Sequence, residues 1–134
     1  MLTSMTRRRV IYAETDRMGY MYYGNYPMYY EVGRVEALRE LGTSYRVLED
    51  SGILMPVANI SIKYLQPAYY DDLLTIKTII PALPGVRMLF RYEIFNESDT
   101  MINQGETTLV FTDLLHRKPV RPPKWFLDLF QPYF

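Results

Sequence analysis

Val32, Val35, Leu38 and Leu41 recur every three residues behind Asn25 and Pro27, while Glu31, Arg34, Glu36, Arg39 and Glu40 take the remaining positions. Residues three or four apart share a helical face, so this spacing predicts a helix with one buried stripe and a charged, structural outer face. Asn25 stands as its N-cap, Pro27 suits a first turn whose N–H groups lack acceptors anyway, and Gly42 marks the stop. Gly33 inside the helix costs about 1 kcal/mol against Ala, which predicts close packing against a neighbour. Thr43 is expected to cap a shorter second helix through Val47 and Leu48 to about Gly52.

Beyond Gly52 the period changes to two. Ala58, Ile60, Ile62 and Tyr64 alternate with Asn59, Ser61 and Lys63 up to Gln66-Pro67, which predicts a half-buried strand. Leu73 to Ile80 is a continuous β-prone run after the Asp71-Asp72 turn. Val86, Met88, Phe90, Tyr92 and Ile94 then alternate with Arg87, Leu89, Arg91 and Glu93 after the Pro84-Gly85 turn. A further turn at Asn96 to Asp99 leads to a last long strand, about Met101 to Thr112, and a Pro-rich stretch leads to an amphipathic end, Trp125 to Phe130. Near the start, Val10-Ile11-Tyr12-Ala13, extended backwards by Arg7, Arg8 and Arg9, reads as strand one. One strand, a buried helix and a meander of four strands make an α+β layout in which one sheet wraps the helix. Such a sheet leaves an edge and apolar surface uncovered, which predicts pairing with a second copy.

A length of 134 residues fits a single domain spanning the chain. Its 15 basic and 15 acidic side chains cancel, so no global field favours nucleic acid or an anionic membrane. Cysteine is absent, which removes disulfides, thiolate metal sites and a cysteine nucleophile together and agrees with a reducing compartment. Met1 to Arg9 lacks the apolar core of a signal peptide, and no apolar run approaches the roughly 20 residues that span a bilayer. The expectation is a cytoplasmic protein without stable membrane insertion.

The chemistry concentrates in Asp16-Arg17-Met18-Gly19-Tyr20-Met21-Tyr22-Tyr23-Gly24-Asn25-Tyr26, where a carboxylate opens a loop and an aromatic-Gly-Asn turn opens the helix. The loop can aim the acid at a ligand, and the first helical turn offers unpaired N–H groups that stabilise developing negative charge. Burial of Asp16 among Met18, Tyr20 and Tyr22 would make it a stronger base.

The pattern Asp-x-x-Gly-x-x-Tyr-Tyr-x-Asn-Tyr, met at Asp16, Gly19, Tyr22, Tyr23, Asn25 and Tyr26, resembles the 4-hydroxybenzoyl-CoA thioesterase branch of the hotdog-fold acyl-CoA thioesterases. Glu31-Val32-Gly33-Arg34 with Glu36, and Arg39-Glu40-Leu41-Gly42, look like that family's central helix. Gln66-Pro67-Ala68 with Asp71-Asp72, and Thr107-Thr108-Leu109-Val110-Phe111, look like its later strands. The resemblance implies a five-stranded antiparallel sheet wrapped around the helix and hydrolysis of an acyl-CoA to a carboxylic acid and CoA, while the uncovered edge and apolar surface of such a sheet predict a homodimer or homotetramer. It also implies that Asp16 is the catalytic carboxylate and that a main-chain N–H near Tyr23 polarises the thioester carbonyl. Many bacterial relatives carry His at the position of Tyr23, but a backbone donor does not depend on its side chain. Asp16 would act either as general base or as a nucleophile forming a short-lived anhydride.

Gly19, Tyr22 and Asn25 are the substrate-binding candidates of this segment, and Arg87 is a candidate for the CoA phosphates together with Arg117, Lys118, Arg121 and Lys124. No metal or redox cofactor is implied, with one histidine and no carboxylate cluster at ligand spacing. That histidine, His116, reads as a surface residue, and no Gly-x-Ser-x-Gly turn supports a serine triad. Two rival functions are a hotdog hydratase or dehydratase, which would need a catalytic His near the motif, and a non-catalytic acyl-thioester binding module.

Overall fold

Strands far apart in sequence build the main sheet. The computed structural model describes all 134 residues. Its strands are β1 (Leu2–Arg9), β2 (Ile53–Leu54), β3 (Val57–Tyr64), β4 (Leu73–Ile80), β5 (Arg87–Phe95), β6 (Met101–Val110) and β7 (Thr112–Asp113). The helices are α1 (Tyr26–Glu40), α2 (Tyr45–Asp50) and α3 (Lys124–Phe130). Five strands form one antiparallel sheet in the order β1-β4-β5-β6-β3, and β2 pairs with β7 separately. The expected meander therefore holds only for β4, β5 and β6. β1 takes the place beside β4, so β3 is displaced to the far side, where it pairs with β6 and becomes an edge.

Helix α1 packs on the inner face of this sheet, against β1, β4 and β5. Leu74, Ile76, Met88, Phe90, Tyr92, Ile94 and Leu109 rise from the strands into that layer, those of β5 following the predicted alternation and those of β4 alternating within a run that reads as continuous. The helix itself buries Tyr26, Tyr29, Tyr30, Gly33, Ala37 and Leu38, whereas Val32, Val35 and Leu41 are only half-buried. The buried face is thus rotated from the aliphatic stripe toward the tyrosines, whose rings bury large apolar areas while the Tyr29 and Tyr30 hydroxyls find partners. Tyr30 stacks on Tyr92 with centroids 4.1 Å apart and donates its O–H to Asn103 Oδ1. Arg34 also lies on the buried side, 7% exposed, donating to the phenols of Tyr45 and Tyr92 at 3.1 and 3.0 Å. Gly33 packs as expected: a Cβ there would collide with Thr78 Oγ1 and stand 3.0 Å from Ile76 Cγ2.

Three boundaries differ from expectation. Strand one ends at Arg9, and Tyr12–Glu14 forms a 3-10 turn, because Val10 leaves the sheet to exchange hydrogen bonds with Asp71 and Asp72. Asn25 is no cap: its backbone is already helical, and its amide is engaged elsewhere. Ser44, not Thr43, caps α2, accepting from the Val47 N–H at 3.2 Å.

β3 is the largest departure. Its alternation predicts a half-buried strand, yet only Ile62 is partly covered, and Val57, Ala58, Ile60 and Tyr64 are exposed. Within one chain nothing lies over this edge, whose outward backbone groups have no neighbouring strand.

The buried phenols set an alkaline limit. Burial pushes Tyr26 and Tyr92 up to about 12, and raises Tyr29 and Tyr30 further in the same direction. In the unfolded chain they ionise near pH 10, so the native state binds more protons between about pH 10 and 12 and stability falls with rising pH there. Each group removes up to ~1.4 kcal/mol per pH unit across that window, and the full contribution is present below it. The urea midpoint should therefore drop steeply above pH 10, in step with phenolate absorbance. A midpoint unchanged at pH 11 would contradict this packing.

Candidate active site

Asp16 lies in a loop closed by its own backbone. Its N–H donates to Tyr20 C=O at 3.0 Å, and its C=O accepts from Gly19 N–H at 3.0 Å. Gly19 takes φ +88°, a conformation that costs glycine little, and this makes the loop's sharp return possible. Asp16 Oδ1 accepts the Met18 N–H at 2.8 Å, an Asx-type turn that fixes the carboxylate while its second oxygen has no protein partner. The side chain is half-exposed in the single chain, so the expected burial among Met18, Tyr20 and Tyr22 is not provided by this chain alone.

The loop returns to Tyr22, whose N–H donates to Glu14 C=O at 2.9 Å, and Tyr23–Asn25 then winds a 3-10 turn that runs directly into α1. Tyr23 and Gly24 open this helical run, so their N–H groups have no partner within it, and no side-chain acceptor reaches them. A Cβ on Gly24 would stand 2.5 Å from the Tyr22 ring, so glycine lets Tyr22 fold over the turn. Tyr22 packs against Tyr23 at 4.7 Å, and its phenol is pushed above its ordinary value chiefly by the Tyr23 hydroxyl and least by the Asp16 charge.

Beneath the turn is Glu14, the one buried carboxylate, 4% exposed. It accepts from Arg8 at 3.0 Å, from Tyr29 O–H at 2.8 Å and from Ile11 N–H at 3.0 Å. Its backbone carbonyl also accepts Asn25 Nδ2–H at 2.8 Å. One residue thereby ties β1, the acid loop and the start of α1 together, with its charge met by a guanidinium and two further donors. Nothing in the residue pattern signals it, since a Glu in a polar Glu-Thr-Asp run looks like a solvated one.

Asp16, Tyr22, Tyr23, Tyr26 and Tyr64, with Met21 and Pro67, line an open cleft of about 480 Å³. Asp16 and Tyr23, the first residue of the helix-opening turn, thus meet at one cavity with aromatic walls. Gly19 and Asn25 do not line it; they shape the loop and clamp the turn. Arg87 is farther off. It pairs with Val110 at one end of β5, while Tyr64 pairs with Asn103, which faces Ile94 near the other end. Seven residue-to-residue steps of strand separate Arg87 from Ile94, roughly 23 Å at ~3.3 Å each. Arg117 and Lys118 belong to Arg87's end, where Phe111 bonds Val86 and Asp113 bonds Lys118. His116 is there too, its side chain 71% exposed and 4.0 Å from Asp113, a surface residue as expected. No group of three or more His, Cys, Asp or Glu side chains is placed to hold a metal ion.

A carboxylate with a free oxygen and an unengaged helix-opening N–H at one apolar cleft can activate water and hold an oxyanion. The family model of the thioesterase-like superfamily matches residues 10–130. The chain belongs to the thioesterase-like superfamily. Among superfamily members, the acyl-CoA thioester hydrolase YbgC of Escherichia coli O6:H1 is 34% identical over 116 residues, covering 87% of each chain. The acyl-CoA thioesterase YbgC of Haemophilus influenzae is 32% identical over 117 residues, covering 87% of this chain and 85% of its own. The DHNA-CoA thioesterase structure from Staphylococcus aureus superposes with a TM-score of 0.92 at 34% identity, covering 99% of this chain and 89% of its own. The five-stranded sheet around α1 is the hotdog fold that the resemblance implied. No helix is long and apolar enough to cross a membrane.

Proposed function

We propose that this superfamily member is an acyl-CoA thioesterase, cleaving an acyl-CoA to a carboxylic acid and free CoA in the cytoplasm, where such esters circulate. The observation that carries this reading is the meeting of Asp16 and Tyr23 at one aromatic cleft, with the Tyr23 N–H unengaged at the head of the helical run. The names of relatives with about one-third identity over most of the chain support it. In this mechanism the Tyr23 N–H polarises the thioester carbonyl, with the Gly24 N–H beside it. Asp16 either takes a proton from the attacking water or attacks the carbonyl itself, and CoA thiolate leaves. A metal or redox cofactor has no role in this scheme. The hydratase reading is disfavoured because the chain's one histidine lies at the opposite end of the sheet, and the non-catalytic reading because the Asp16 carboxylate keeps a free oxygen at the cleft.

The working unit in this reading is at least a homodimer. Two copies joined antiparallel along their β3 edges would cover the exposed Val57, Ile60 and Tyr64, and would continue the sheet without a break. Antiparallel pairing sets the Val57 end of one β3 against the Tyr64 end of the other. The basic end of the second copy, with its Arg87, Arg117 and Lys118, would then stand beside the first copy's cleft, which its own cannot reach. Those cations suit the CoA phosphates at the cleft mouth, and the second copy would also supply the burial that Asp16 lacks.

Free-thiol release from a panel of aliphatic and aromatic acyl-CoAs, run on samples characterised by sedimentation, tests both statements. Saturable turnover of at least one ester is expected, from a species of two or more chains. Turnover of none across the panel would contradict the hydrolase, and full activity from a monomer would contradict the shared site.

A further inference from the structure

Tyr64 is the last residue of β3 and lies outside the Asp16 motif, yet its O–H donates to the Tyr23 carbonyl at 3.1 Å. Its ring meets Tyr23 edge-on at 6.2 Å and Tyr26 edge-on at 5.4 Å, so the phenol is held from both sides. The strand beneath it is anchored as well: Tyr64 pairs with Asn103 in β6, and the Leu65 and Gln66 N–H groups both donate to Ile102 C=O at 3.0 Å. On the other side, the 3-10 turn is held by Asn25 N–H to Tyr22 C=O at 3.0 Å and by the Asn25 side chain on the Glu14 carbonyl at 2.8 Å, neither of which fixes the Tyr23 carbonyl.

The peptide unit linking Tyr23 to Gly24 is planar and trans, so its carbonyl and its N–H point in opposite directions. Whatever fixes the direction of the Tyr23 carbonyl also fixes that of the Gly24 N–H. A donor on the carbonyl polarises the amide too, which makes its N–H a better donor in turn. Building on the thioesterase reading, we propose that Tyr64 is a positioning residue for the reaction. Through the Tyr23 carbonyl it aims and polarises the Gly24 N–H, which joins the Tyr23 N–H as a second donor to the thioester oxyanion. Its bond is worth most when the carbonyl carbon is tetrahedral, so its loss falls on kcat more than on KM.

Tyr64→Phe isolates the hydroxyl, because the ring and both edge-on contacts remain. For a half-exposed side chain, 50% accessible, the thermal midpoint should hold within about 2 °C. We expect kcat to fall about 3- to 10-fold with KM within about twofold, the size of one lost neutral hydrogen bond acting on the donor. Independently of activity, amide hydrogen exchange at Asn25 and Tyr26 should quicken several-fold, since the turn loses its tie to β3. A role in ring packing alone predicts neither change. Unchanged exchange overturns the positioning of the turn by Tyr64, and faster exchange with unchanged kcat overturns its part in the reaction. A wild-type protein that hydrolyses no ester while the exchange difference is present would instead refute the thioesterase reading and leave the structural tie demonstrated.

Discussion

Replacing Asp16 by Asn should lower kcat by about 10²- to 10⁴-fold, the usual span for removing a general base, with more if the carboxylate is the nucleophile. Asn keeps the size of the side chain and can still accept the Met18 N–H that Asp16 Oδ1 accepts at 2.8 Å, so the Asx-type turn should survive. The free second oxygen is what changes: an amide nitrogen there neither takes a proton from water nor attacks a carbonyl. KM should stay within a few-fold, because the aromatic cleft and the N–H groups are untouched, and the thermal midpoint should move little. A purely structural Asp16 would give the opposite pattern, a mild rate effect with Asn capping the loop as well as Asp does.

The largest effect on stability is expected at Gly105→Ala. Gly105 in β6 faces Ile62 of β3 and Tyr92 of β5, and a Cβ there would collide with the Tyr30 hydroxyl and stand 2.6 Å from the Ser61 carbonyl. A side chain can swing away, but the Ser61 oxygen belongs to the neighbouring strand, so β3 must separate locally from β6. Overpacking of this kind costs typically 1–3 kcal/mol and more where backbone must move, so a loss of about 3 kcal/mol or more is expected. For a chain of this length that lowers the thermal midpoint by roughly 10 °C or more. Gly85→Ala is the matched control, since nothing lies within 4 Å of its added Cβ, and its midpoint should stay within about 2 °C. Equal midpoints for the two variants would mean that β3 does not lie against β6 as described.

Much of this is legible in the residue pattern where one local rule decides the outcome. β4 follows from a continuous β-prone run and β5 from period-two alternation, Gly42 ends α1 with φ +88°, and Gly33 marks the close approach that its place in a helix predicts. Asp16 and the helix-opening turn are visible because the motif is contiguous. What escapes depends on partners distant in sequence. Counting aliphatic residues misplaces the stripe of α1, because Tyr29 and Tyr30 become core only once Glu14, Asn103 and Tyr92 arrive to satisfy and cover them. Asn at a helix start usually caps it through its side-chain oxygen, but the 3-10 turn begins the helical run two residues earlier, and Asn25 instead donates its Nδ2–H to the Glu14 carbonyl. Tyr64 reads as one more inward residue of a half-buried strand. Its contact with Tyr23 spans 41 positions and has no local signature.

Whether Asp16 performs chemistry on a thioester held in this cleft is decided by following one bound ester in both proteins. Wild type and the Asp16→Asn variant are each mixed in excess over a single acyl-CoA that wild type turns over well, and the ester is quantified with time by mass spectrometry after separation of bound from free. Prompt conversion to acid and CoA is expected from wild type. The variant should bind the ester with similar affinity and keep it intact about 10²- to 10⁴-fold longer. Hydrolysis of the bound ester by the variant at near the wild-type rate would contradict a chemical role for Asp16.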